Sequence, residues 1–377
     1  MRVLCFGRFC DHLPGGIQSH VASLLASLAE DVEFVNLVPS RDGRSARFLL
    51  GGVPVIRTAG WNLDGSLSLS PGLVQVAWRE HRQKPFDLIH LNFPDPMSHL
   101  ASLILPASVP RVITWHADIV RRRRLLKLYR PWERRILRQA AAIVTATPEH
   151  LRDSPILNVP GIREKIEVIP FGFDLMRFVQ PHPETEALKA RYPGRRIFAL
   201  GRHVAYKGFD VLLKAMPAVL DTHDDTHLIL GGSGPLSGEL AELTREMGLA
   251  GRVHAIGQIP DASLPAYYQC CDLFCLPSIS SAEAFGIVQV EAMAAGKPIV
   301  NTALKNGVNF VAPKGVAALT VAPGDPDALS WEILALLQDA VLRRKLGENG
   351  RLRAEQEFSL AAMRARMLAL YHRLAEP

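Results

Sequence analysis

The sequence predicts an α/β protein made of two doubly wound domains, and three observations carry that prediction. Short apolar runs alternate with amphipathic helical patterns from one end of the chain to the other, as parallel sheets crossed by helices require. The series of runs occurs twice, once in each half. At 377 residues, the chain also exceeds what one ordinary domain holds.

In the first half the runs are "RVLCFG", "VEFVNLV", "FDLIHL", "RVITWH", "AAIVTAT" and "IEVIPFG". The second half repeats the scheme with "RIFALG", "THLILGG", "RVHAIG", "DLFCLP", "PIVNTA" and "ALTVAP". The join falls near "PFGFDLMRF" (170–178), giving a first domain over 1–172 and a second over 173–358. The last segment, 359–377, carries apolar residues at helical spacing and is expected as a helix packing back on the first domain. Sheets of this kind bind ligands at the carboxyl ends of their strands, so functional residues should follow the runs just quoted.

With 48% apolar residues the chain has ample material for a core, and it contains no run of 18 apolar residues that could span a membrane. The opening "MRVLCFG" reads as a strand and lacks the apolar region and cleavage site of a signal peptide. Cys5, Cys10, Cys270, Cys271 and Cys275 make an odd, scattered set, which fits reduced thiols in the cytosol. "CCDLFC" lacks a second pair at zinc-ligand spacing and runs into a strand, so core cysteines are the expectation there.

The formal net charge of +6 is unevenly spread. Residues 1–180 carry 23 Lys+Arg against 16 Asp+Glu, whereas 181–377 carry 20 against 21. The stretch 119–138 alone has nine basic residues against Glu133. As a helix, it would show an apolar stripe of Leu125, Leu126, Tyr129, Trp132, Ile136 and Leu137. Arg121, Arg122, Arg123 and Arg124 crowd its start, an unfavourable place for cations beside the positive helix end, and Lys127 follows. An external anion, such as membrane phosphates, explains that concentration; the competing reading is a solvated charged face.

Ahead of the first helical pattern stands "PGG", with Gly15 and Gly16, where the backbone can approach a phosphate at a helix start or merely make a turn. No G-x-G-x-x-G follows the first strand, which argues against a nicotinamide dehydrogenase. "VITWHAD" ends a strand with His116 and Asp118 and offers a substrate contact or a polar strand terminus. His90, ending "FDLIH", is expected to be structural. After "RIFALG", Arg202 and Lys207 flank a short loop before a helix and suit a diphosphate, Arg as a fork and Lys as a point charge. Finally, "SAEAFGIVQVEAMAAGKPIV" (281–300) sets Glu283 in a loop and Glu291 on a helix within an otherwise apolar stretch. Burying a carboxylate is costly unless polar groups meet it. Sugar hydroxyls would meet both, and a salt bridge is the alternative for Glu291.

Taken together, "PGG", "WHAD", "IPFGFD", "GRHVAYKG", "GSGPL", "SSAEAFGIVQVEAMAAGKPIV" and "VAPGD" resemble the family-4 retaining glycosyltransferases over nearly the whole chain. The resemblance implies the GT-B fold, two Rossmann-like domains facing a cleft, acceptor in the first and nucleotide sugar in the second. It implies that Arg202 and Lys207 clamp the donor diphosphate and that Glu291 binds ribose. Glu283 and the backbone of Phe285, Gly286, Ile287 and Val288 would hold the transferred hexose. Gly15 and Gly16 would face the phosphates, His116 would touch the sugar near the reacting carbon, and Ile259 would contact the base. The chain departs from the family at "LKNGVNFV" (304–311), where members often carry Gly-Gly and an acidic pair.

Within the family the chain looks most like mannosyltransferases of bacterial surface polysaccharide assembly. GDP-mannose as donor, a polyprenyl-diphosphate-linked saccharide as acceptor and a peripheral site on the inner face of the cytoplasmic membrane are therefore expected. No metal or other cofactor is expected, because Asp325 and Asp327 in "PGDPDAL" read as a loop and helix cap. No carboxylate can be assigned as nucleophile, which favours front-side attack assisted by the leaving phosphate. A UDP-sugar donor, a sugar-nucleotide epimerase of the same fold and a nucleotide-binding subunit without turnover are the alternatives.

Overall fold

The computed structural model describes residues 1–7, 16–40, 43–50, 52–62, 68–116 and 123–376. The chain divides into two compact units, Met1–Phe173 with Ser359–Pro377, and Asp174–Phe358.

The strands of the first unit are β1 (Arg2–Phe6), β2 (Glu33–Pro39), β3 (Ala46–Leu50), β4 (Val53–Thr58), β5 (Trp61–Asn62), β6 (Ser68–Leu69), β7 (Leu88–Phe93), β8 (Arg111–Trp115), β9 (Ala142–Thr145) and β10 (Ile166–Val168). Eight of them form one sheet in the order β10-β9-β8-β7-β1-β2-β4-β3, while β5 and β6 pair separately. All neighbours in the large sheet run parallel except β3 and β4. The order reverses between β1 and β7, which is where such a sheet opens a ligand crevice at its carboxyl edge.

Burial on both faces explains why the central strands read as unbroken apolar runs. Along β1, Leu4 and Phe6 join one core with Leu91, Ile113 and Trp115, and Val3 and Cys5 join the opposite core with Leu88, Val112 and Val144. That opposite core also takes Met363, Met367, Leu370 and Tyr371 from the helix Leu360–Ala375. Tyr371 Oη lies 2.5 Å from His90 Nδ1, whose ring also bonds Thr114 through Nε2 at 2.7 Å, so His90 is structural. Cys5, Cys270, Cys271 and Cys275 are all buried, and burial pushes the Cys270 thiol up to about 11.

The second unit has six parallel strands, β11 (Arg195–Leu200), β12 (Thr226–Gly231), β13 (Val253–Gly257), β14 (Leu273–Leu276), β15 (Ile299–Thr302) and β16 (Ala318–Val321). Their order is β13-β12-β11-β14-β15-β16, and its switch point lies between β11 and β14. Among the described residues, no helix is long and apolar enough to cross a membrane.

The sequence reading overlooked β3 and β4. They pair antiparallel, Leu50 opposite Val53 and Ala46 opposite Arg57, and Pro54 interrupts the apolar pattern of the inner strand. The basic segment also differs in detail. The helix Arg123–Gln139 buries Ile136, Leu137 and Glu133, but Trp132 is 46% and Leu128 75% exposed, so Trp132 leaves the expected inner stripe. Successive residues turn by about 100°, which sets Trp132 with Leu128 on the outer face and Tyr129 on the inner one.

Candidate active site

The crevice of the second unit is built by the loops that follow β11 and β14. After β11, Gly201 and Arg202 lead into a short 3-10 turn, Ala205–Lys207, and then Gly208 opens the helix Phe209–Thr222. Gly208 adopts φ +66°, and a Cβ there would stand 2.1 Å from the carbonyl oxygen of Pro277. Only glycine lets the two loops close to this distance, and the Ile279 amide seals them by donating to Tyr206 O at 2.8 Å.

That closure delivers Lys207 to Glu283. The ammonium lies 2.5 Å from Glu283 Oε2, with the residues 7% and 9% exposed. Ser278 Oγ donates to the same carboxylate oxygen at 3.3 Å, and Asn306 Nδ2 donates to the Glu283 carbonyl at 2.6 Å. Thr302 Oγ1 in turn holds the carbonyl of Ser278. The carboxylate is thus fixed across the switch point by a cation from one loop and a hydroxyl from the other.

Gly286 caps the helix Ile287–Ala294 in the left-handed region at φ 72°. A Cβ at Gly286 would press on Gln289 Nε2 at 2.9 Å, and Gln289 donates to Val308 O at 3.0 Å, tying this helix to the short helix Gly307–Val311. Phe285 packs edge-on against Phe358, Val288 is half-buried and Ile287 is exposed. One turn inward, Glu291 accepts from Tyr268 Oη at 2.7 Å. Burial raises the Glu291 pKa, and the Tyr268 hydrogen bond and the Arg177 charge pull the other way. Arg177 forms two bonds with Asp261, at 2.5 and 2.9 Å, anchoring the loop that carries Ile259.

Arg202 is exposed and lines a cleft of about 440 Å³ together with Gly201, Gly232, Ser233, Gly234, Pro235 and Gln258. The glycines here serve packing: a Cβ at Gly232 would lie 2.0 Å from Gly201 O, and one at Gly234 2.5 Å from His203 O. Ile259 packs its side chain on Gly231, where a Cβ would meet its Cδ1 at 2.8 Å. Asp325 caps the helix Pro326–Gln338 by accepting from Ala328 N at 2.9 Å.

In the first unit, His116 follows β8 and its Nε2 lies 3.1 Å from Asn92 Oδ1. Asn92 Nδ2 donates to Phe6 O at 3.1 Å, so the pair spans the ends of β1, β7 and β8. The ring of His20, from the helix Gly16–Leu28, sits 5.4 Å from His116 and 4.4 Å from Phe171, and burial pushes its pKa down to about 4. Gly16 opens that helix. Gly15, Asp118, Arg121 and Arg122 lie outside the described residues, and Arg123, Arg124 and Lys127 belong to the helix Arg123–Gln139.

The structure therefore groups Lys207 with Glu283, and sets Glu291 on the helix that follows them. Sequence reasoning missed Ser278, Tyr268, Arg177, Asp261, Asn92 and His20. Their types carry no distinctive spacing, and only the fold sets them beside the residues they contact.

The pattern described as Glycosyltransferase Family 4 matches residues 14–177, and that of Glycosyl transferases group 1 matches residues 185–353. The chain is 30% identical over 366 residues to D-rhamnosyltransferase WbpZ of Pseudomonas aeruginosa, covering 95% of this chain and 92% of that one. It is 29% identical over 292 residues to O-antigen chain mannosyltransferase C of Escherichia coli, covering 77% and 76%. Among solved structures, Anabaena Alr3699/HepE in complex with UDP superposes with a TM-score of 0.77 at 20% identity, covering 99% and 100%, a likeness of fold.

Proposed function

The chain belongs to the family-4 glycosyltransferases of the GT-B fold, and from that premise we propose that it is a retaining mannosyltransferase. It moves mannose from GDP-mannose onto a polyprenyl-diphosphate-linked saccharide during surface polysaccharide assembly, at the inner face of the cytoplasmic membrane. The Lys207–Glu283 pair across the switch point of the second unit is the observation that carries the reading. It presents a fixed, buried carboxylate to sugar hydroxyls, and the exposed Arg202 stands on the same loop after β11 as Lys207. D-Rhamnose is 6-deoxy-D-mannose, so the rhamnosyl- and mannosyltransferase relatives support a manno-configured donor sugar.

In the reaction, the bond from the anomeric carbon to the diphosphate breaks and a bond to the acceptor oxygen forms on the same face. The acceptor proton passes to a departing phosphate oxygen. Positive charge develops on the sugar and negative charge on the nucleoside diphosphate. Arg202, Lys207 and the backbone amides at the start of the helix Ile287–Ala294 are assigned to the second charge, as preorganised dipoles and cations. Glu283 orients the hexose, Glu291 the ribose and Ile259 the base, while His116 with Asn92 contacts substrate from the first unit. The reaction is assigned no metal: the one Asp-x-Asp of the sequence is engaged in a helix cap through Asp325.

Transfer from radiolabelled GDP-mannose to extracted lipid-linked saccharide tests this, with GDP-D-rhamnose and UDP-glucose alongside and EDTA in parallel tubes. The expected result is label transferred from GDP-mannose at the same rate with EDTA. Transfer from UDP-glucose alone would overturn the donor, and loss of transfer with EDTA would overturn the metal-free assignment.

A further inference from the structure

Beyond β15 the chain turns through Ala303–Asn306 into the short helix Gly307–Val311. Among the described residues, Lys305 is the one non-glycine held at positive φ, 54°. Glycine or asparagine takes this conformation more readily than a long side chain does, so lysine stands here against its backbone preference. Hydrogen bonds on either side enforce the turn. Lys305 N donates to Asn309 Oδ1 at 2.9 Å, and Asn309 Nδ2 donates to Thr302 O at 2.9 Å. Asn306 Nδ2, next in the chain, donates to Glu283 O at 2.6 Å. The turn carrying Lys305 is therefore fastened to the loop that carries Glu283. Backbone strain of this kind persists where the surroundings over-determine it, and it concentrates at functional sites.

Charge balance gives the side chain a task. A nucleoside diphosphate brings at least two negative charges to the crevice. Lys207 shares its charge with Glu283 at 2.5 Å, so the assigned clamp gains from a further cation beside Arg202. β11, β14 and β15 are successive neighbours in the sheet. At about 4.8 Å per strand, the loops after β11 and β15 are roughly 10 Å apart at their roots. Arg202 and Lys305 are both exposed, one on each of those loops, and long side chains from the two can meet a diphosphate lying between them.

We propose that Lys305 is a donor-binding residue whose ammonium joins Arg202 in neutralising the diphosphate of the nucleotide sugar. The proposal rests on the reading of the second unit as a nucleotide-sugar site, and it adds a cation from a position where glycine would be relaxed.

Titration calorimetry with GDP and with GMP tests it on wild type, Lys305→Gly, Lys305→Asn and Lys305→Arg. A lost charge-assisted contact should weaken GDP binding by about tenfold or more in the Gly and Asn variants. GMP, which lacks the second phosphate, should lose less, and Lys305→Arg should stay close to wild type. The KM for the nucleotide sugar should rise in step while kcat holds. Melting temperatures should be unchanged or higher in Lys305→Gly, which separates lost binding from lost folding. Equal GDP affinity in wild type and Lys305→Gly would overturn the proposal alone. Failure of the wild type to bind any of GDP, UDP or ADP would overturn the site reading beneath it.

Discussion

Lys207 and Glu283 each pay a desolvation penalty that the other offsets. A buried ion pair of this kind is a weak source of net stability, yet removing one member leaves an uncompensated charge. Glu283→Ala should therefore destabilise the second unit by roughly 3 kcal/mol. Lys207→Met combined with Glu283→Leu should recover most of that loss while abolishing sugar transfer. Urea unfolding of Lys207→Met, Glu283→Leu and the double variant, read beside transfer activity, measures this cycle; additive stability losses would contradict the pairing. Glu291 is held differently, by the Tyr268 hydroxyl, which donates to its carboxylate in an otherwise apolar helix.

Among the elements, the loops after β11 and β14 depend on Gly208 for their approach. Gly248 offers a natural control, since its φ of +69° is similar but a Cβ there would meet nothing within 4 Å. Gly248→Ala should cost about 1 kcal/mol from conformation alone. Gly208→Ala adds a collision with Pro277 O and should cost more, lowering donor binding by displacing Lys207. Equal melting losses in the two variants would show that the loops can part freely. The first unit carries a second, pH-dependent constraint. Burial pushes His20 down to about 4 and His90 and His99 down to about 3, against an ordinary value of 6.5. Each is neutral in the fold and takes up a proton more readily when unfolded. Their contribution is complete above pH 6.5 and is lost as pH falls from 6.5 through these lowered values. His20→Gln should flatten the decline of unfolding free energy between pH 6.5 and 4 by up to about 1.4 kcal/mol per pH unit. An unchanged slope in urea titrations would show that His20 is accessible to protons in the folded state.

For the whole molecule, the charge asymmetry has a structural counterpart in the helix Arg123–Gln139. Leu128 and Trp132 are exposed there, as are Arg134, Arg135 and Arg138. That pattern suits an anionic bilayer surface. Co-sedimentation with vesicles containing phosphatidylglycerol should be strong at low salt, fall with ionic strength and weaken in Trp132→Ala. Binding that ignores salt and Trp132 would contradict the membrane assignment.

Much of the architecture was legible because parallel strands buried on both faces write continuous apolar runs into the sequence. All six strands of the second unit follow such runs. The hairpin β3–β4 was not, since Pro54 and an exposed outer strand break the pattern. At the site, Glu283, Glu291, Arg202 and Lys207 stood out as charges beside apolar runs. The Lys207–Glu283 contact did not, for it depends on a backbone approach of two loops 76 residues apart in the chain, between Lys207 and Glu283. Trp132 was misplaced because an amphipathic stripe drawn over six residues was wider than the face that is buried.

The central claim is that the crevice between β11 and β14 grips a nucleoside diphosphate sugar through its two glutamates. Melting shifts of wild type and Glu291→Ala with GDP, UDP and ADP test it most directly. A ligand at 100 times its dissociation constant should add about 2.7 kcal/mol. The account predicts a GDP-selective rise for the wild type that shrinks in Glu291→Ala, and a rise of equal size in both proteins would contradict it.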